Sequence, residues 1–76
     1  MPTVLFQDGF RVMIYTADHR PPHVHVHKAG CTVTVWLDGL AASENEGFSQ
    51  KELRKVLALV EQHQDELLEH WRQIHG

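Results

Sequence analysis

The chain has 76 residues, 42% of them hydrophobic and 22% charged, which is enough for one small core and argues against disorder. The net charge of −3 disfavours a constitutive non-specific nucleic-acid binder, although protonating all seven histidines would turn it into +4. Cys31 stands alone, which excludes a disulfide framework and a cysteine-rich zinc site.

Thr3–Gln7 and Phe10–Thr16 are apolar-rich runs around Asp8-Gly9, a dipeptide that accepts the positive φ angles of a two-residue hairpin loop. The hairpin pairs Gln7 with Phe10, Leu5 with Val12 and Thr3 with Ile14 on one side, and Phe6 with Arg11 and Val4 with Met13 on the other. Ala17–Pro22 reads as a loop, since Pro21 and Pro22 supply no backbone donors. His23–Lys28 and Cys31–Leu37 alternate around a tight Ala29-Gly30 turn. The register that sets Val26 against Val33 and Val24 against Val35 also sets His27 against Thr32, His25 against Thr34 and His23 against Trp36. Gly39–Gly47 is expected to be a loop. Ser49-Gln-Lys-Glu52 has the form of a capping box, with Phe48 and Leu53 at the staple positions. Leu53, Leu57, Val60, Leu67, Trp71 and Ile74 then form an apolar stripe interrupted by Gln64. One helix over 50–75 would be about 39 Å long, against about 23 Å for a seven-residue strand. Either it breaks near Gln62-His63-Gln64 or its far end overhangs the sheet, and an overhang favours a dimer. The predicted fold is α+β: a single domain over 1–76 with a four-stranded antiparallel meander and a long C-terminal helix packed on one face.

That register puts Leu5, Phe10, Val12, Ile14, Val24, Val26, Val33, Val35 and Leu37 on the helix-covered face. The other carries Val4, Phe6, Arg11, Met13, Tyr15, His23, His25, His27, Thr32, Thr34 and Trp36, a mixed surface of the kind that marks contact sites. The plain alternatives are a homodimer interface or a face covered by the 39–48 loop.

Successive histidines on one strand face lie about 6.6 Å apart, so two of them can share a divalent ion such as zinc, nickel or copper. His23 and His25 with His19 from the loop form the expected metal trio. The outer pair, His23 and His27, is about 13 Å apart and fits one ion poorly. Asp18 is the nearest acid, a fourth ligand or an acceptor that fixes a histidine tautomer. A metal-free alternative is RNA cleavage, with His19, Arg20, His23 and His25 as acid, base and phosphate clamp, and Arg11, Tyr15 and Trp36 as binding residues. A plain alternative is a rigid turn whose imidazoles cap backbone carbonyls.

The segment Asp18-His-Arg-Pro-Pro-His-Val-His25, with the opening Met-Pro-Thr-Val and the closing Leu67-Leu68-Glu-His-Trp71, resembles a small bacterial family of unknown function with an Asp-His-x-Pro-Pro-His-x-His core. His19, Pro21, Pro22, His23 and His25 match that core, and His27 falls outside it. The resemblance implies a toxin–antitoxin component with a small cognate protein partner. It does not imply a reaction.

His63 and His70 read as a solvated or interfacial helix face, and His75 as a frayed end. Lys51, Arg54 and Lys55 crowd the first helical turns while Glu61, Asp65, Glu66 and Glu69 crowd the later half, an order opposite to what the helix dipole favours. The three cations are either an unremarked surface or a patch for phosphate or an acidic partner. Asp8, Arg11 and Asp18 interrupt the N-terminal stretch and no apolar run approaches about 18 residues, so the expectation is no signal peptide, no membrane contact and a cytoplasmic location.

Overall fold

The computed structural model describes residues 3–76; Met1 and Pro2, which open the resemblance motif, lie outside them. Among the described residues the order is β1 (Thr3–Gln7), β2 (Phe10–Met13), β3 (His23–Lys28), β4 (Cys31–Trp36), β5 (Ala41–Glu46), α1 (Gln50–Gln62) and α2 (Gln64–His75). The strands form one antiparallel sheet in sequence order.

Both two-residue turns form as their sequences dictate, with Asp8 and Gly9 at φ 55° and 82°, and Ala29 and Gly30 at 51° and 82°. The β3–β4 register is the expected one at every pair, His23 to Trp36 through Lys28 to Cys31. In the first hairpin Gln7, Phe6 and Leu5 meet Phe10, Arg11 and Val12 as expected, but Thr3 meets Met13 rather than Ile14. The pairing shifts between Thr3 and Leu5, and Val4 packs against the core instead of joining the opposite face.

Two further expectations are corrected. Gly39–Gly47, expected to be a loop, contains a fifth strand, β5, which pairs with β4 and extends the sheet sideways. Its Ala-Ala-Ser-Glu-Asn-Glu sequence lacks a strand pattern, and it carries an irregularity between Thr32 and Thr34 of its partner, with Glu44 at φ 53°. The long helix is two helices. The chain breaks at His63 (φ −112°, ψ 18°), whose amide donates to both Leu59 O and Val60 O at 3.3 and 3.2 Å. Gln64, the polar gap in the stripe, donates its side-chain amide to the Leu37 carbonyl at 2.6 Å. The break makes the charge order favourable in α2, with Asp65 and Glu66 in its first turn and Arg72 and His75 in its last, while Lys51, Arg54 and Lys55 still crowd the start of α1.

The capping box forms, with Ser49 Oγ accepting from the Glu52 amide at 3.1 Å. Val12, Ile14, Val24, Val26, Val33, Val35 and Leu37 from the sheet region meet Phe48, Val56, Leu59, Val60, Leu67 and Trp71 in one core. Among the described residues no helix is long and apolar enough to cross a membrane.

Candidate functional site

The site sits where the Tyr15–Pro22 segment meets the start of β3. The carboxylate of Asp18 folds back on its own loop, its Oδ2 accepting the Tyr15 amide at 3.0 Å while the Asp18 amide donates to Tyr15 O at 3.1 Å. This reciprocal turn fixes Asp18 beneath two strand histidines. His25 Nε2 lies 3.2 Å and His23 Nε2 3.4 Å from the same oxygen, Oδ1. The alternation of β3 places both imidazoles on one face, as the sequence required.

The ring nitrogens can be assigned by elimination. Pro21 O, 2.9 Å from His23 Nδ1, can only accept, so Nδ1 carries the hydrogen. His25 can donate its Nε2 hydrogen to Oδ1. A neutral His23 is left with the bare lone pair of Nε2 facing a carboxylate oxygen. That contact is satisfied only if His23 is an imidazolium or if a cation stands between the two atoms. Burial alone would raise the Asp18 carboxyl, but the Tyr15 amide and the charges of His25 and His23 hold it below its ordinary value.

The donor atoms of Asp18, His23 and His25 all lie within 4.8 Å of one another. Ion–nitrogen distances of about 2.0–2.1 Å put neighbouring donors about 3.3 Å apart in a tetrahedral shell, so only the longest separation has to close. All three donors are nitrogen or oxygen, and the Nδ1–carbonyl bond of His23 is the outer contact that orients a metal-ligating imidazole.

An aromatic wall holds the histidines. His23 is 7% exposed, and its ring lies 4.9 Å from that of Trp36, 5.3 Å from Trp71 and 5.2 Å from His25. Tyr15 packs on the far side of His25 at 4.6 Å, and His75 stacks on Trp71 at 3.9 Å. The helix therefore reaches the site through Trp71, and His75 is an ordered part of that stack rather than a frayed end. Trp71 carried a signal in the Leu-Leu-x-x-Trp tail; nothing in the sequence marked His75.

The remaining candidates are placed unevenly. His19 is exposed and stands outside the group of three, so the structure joins His23 and His25 with Asp18. Arg20 is exposed at the rim of a cleft of about 320 Å³ that Trp71, Arg72 and His75 also line. Arg11 is exposed on β2 opposite His27, whose pKa is lowered by partial burial and then by the charges of His25 and Arg11. Lys51, Arg54 and Lys55 are exposed on the first turns of α1 and form no ion pair among the described residues. His63 bridges Gln7 and Glu66 at 3.2 and 3.1 Å, a tie across the helix junction.

A five-stranded meander backed by a broken helix, with one carboxylate and two imidazoles meeting at the loop before β3, defines a small α+β protein with a candidate metal centre. The chain belongs to the family described as "Domain of unknown function (DUF4160)", whose profile matches residues 9–72. No curated protein and no solved structure matches it.

Proposed function

We propose that this protein binds a divalent transition metal through Asp18, His23 and His25. The observation that carries the reading is the convergence of two Nε2 atoms on one carboxylate oxygen, with the other nitrogen of His23 already committed to Pro21 O. A cation between these atoms turns a repulsive contact into three bonds. Two imidazoles and one carboxylate suit zinc, nickel, copper or ferrous iron. Protein purified without a histidine tag should carry close to one equivalent of one of these metals by elemental analysis. A preparation that is metal-free and takes up none in equilibrium dialysis overturns the proposal.

A second reading concerns the surface beside the centre. Phe6 is 66% exposed, next to Arg11 on the open sheet face, which suits a protein contact. We propose a small cognate protein as the partner, as in a toxin–antitoxin pair, with RNA or a second copy of the chain as the competing occupants. Co-expressed with the product of an adjacent small gene, the chain should sediment as a defined complex that Phe6→Asp dissociates. Independent sedimentation of the two proteins refutes a cognate pair, and a species of twice 8.8 kDa in the chain alone identifies the homodimer instead.

A further inference from the structure

We infer that an ion held by Asp18, His23 and His25 is an open centre that takes a small oxyanion, a carboxylate or phosphate oxygen, directly as a ligand. The inference rests on the metal reading above and adds the class of its external ligand. Three observations carry it.

The first is donor count. Asp18 Oδ2 is held by the Tyr15 amide, so the carboxylate offers Oδ1 alone and binds through one oxygen. His23 Nδ1 is held by Pro21 O, so that ring also offers one atom. Among the described residues no fourth histidine, cysteine, aspartate or glutamate joins the group. Structural zinc sites are closed by four protein ligands, whereas centres with three keep a position for an exchangeable ligand.

The second is charge. One carboxylate and two neutral imidazoles leave a divalent ion with a net positive charge. Asp18 is the carboxylate in contact with these histidines, and Arg11, paired with His27 on the adjacent strand, adds a cation to the same face. An anion completes this centre and a second cation does not.

The third is access. The His23 side chain, packed against the Trp36 and Trp71 rings, is 9% exposed and that of Asp18 13%, whereas the His25 side chain is 24% exposed. The open position therefore lies on the His25 side, bordered by the Tyr15 ring 4.6 Å from His25.

The test uses the whole chain loaded with Co(II), whose visible bands report its coordination shell. Titration with azide should shift those bands to saturation at one anion per ion, and acetate or inorganic phosphate should displace the azide. Cys31→Ser should leave the spectrum unchanged, because Cys31 packs against the core on the opposite face. Stoichiometric cobalt binding with a spectrum indifferent to all three anions overturns this inference and leaves the metal reading standing. Absence of cobalt binding, or its loss in Cys31→Ser, overturns both.

Discussion

Trp71→Ala is expected to lower the stability of the metal-free protein by about 3–5 kcal/mol, the cost of deleting a large aromatic side chain from a packed core. Trp71 is 4% exposed and serves two masters: its ring belongs to the main core, and it also lies against His23 and under His75. A domain of this size buries only about 60% of its unfolded surface and sits near the low end of the usual 5–15 kcal/mol, so the loss is a large share of the total. Urea denaturation followed by far-ultraviolet circular dichroism measures it without relying on the removed fluorophore. Trp71→Phe should restore most of the loss, since an aromatic ring still fills the space between β3 and α2. Trp36→Ala, at a half-buried position on the sheet face, should cost less. The same variant carries a second readout. His23 keeps its orientation partly through the Trp71 ring, so metal affinity should fall about 10–100-fold under conditions where Trp71→Ala is still folded, as when other outer-shell partners of a ligand are removed. A stability loss below about 1 kcal/mol would show that α2 is not anchored through this residue.

How much of this was legible in the sequence follows from what each signal depends on. The β3–β4 register was readable because a one-residue slip would set valines against histidines, and the structure keeps every expected pair. The capping box was readable because Ser49 and Glu52 act locally. β5 was not, because an edge strand of Ala, Ser, Asn and Glu has no buried face to impose a period; its pairing with β4 and the Asn45 clasp on Phe48 hold it there. The helix break was one of two options raised by length, and Gln64 decided it through a bond to Leu37 O that only the folded chain brings within reach. At the site, β3 periodicity put His23 and His25 together, but choosing their acidic partner required the loop. His19 is adjacent in sequence and turned outward, while Asp18 is pinned inward by the Tyr15 amide.

Asp18→Asn and Asp18→Ala are expected to separate two roles that the carboxylate combines. In wild-type protein, a free metal concentration 100 times the dissociation constant adds about 2.7 kcal/mol. At about 4–8 °C per kcal/mol for a domain this small, Tm should rise by about 10–20 °C in differential scanning calorimetry. Both substitutions should abolish that rise, because each removes the anionic oxygen facing His23 and His25. They should differ in the absence of metal. With Asn, the carbonyl oxygen can still accept the Tyr15 amide, and its NH2 group then points toward the imidazoles as a donor. The acceptor-to-acceptor contact at His23 becomes a hydrogen bond, while His25, which donated to Oδ1, has to move its hydrogen to Nδ1 to accept from the same NH2 group, so metal-free Asp18→Asn should stay within about 1 kcal/mol of wild type. Ala removes the acceptor for Tyr15 N and leaves that part-buried donor unpaired, which costs about 1–3 kcal/mol. A metal-induced rise in Tm that survives in Asp18→Asn would remove Asp18 from the ligand set. A metal-free Asp18→Asn protein that loses about 3 kcal/mol or more, beyond what the single His25 bond accounts for, would show that His23 meets the carboxylate as an imidazolium, in an ion pair that needs no cation.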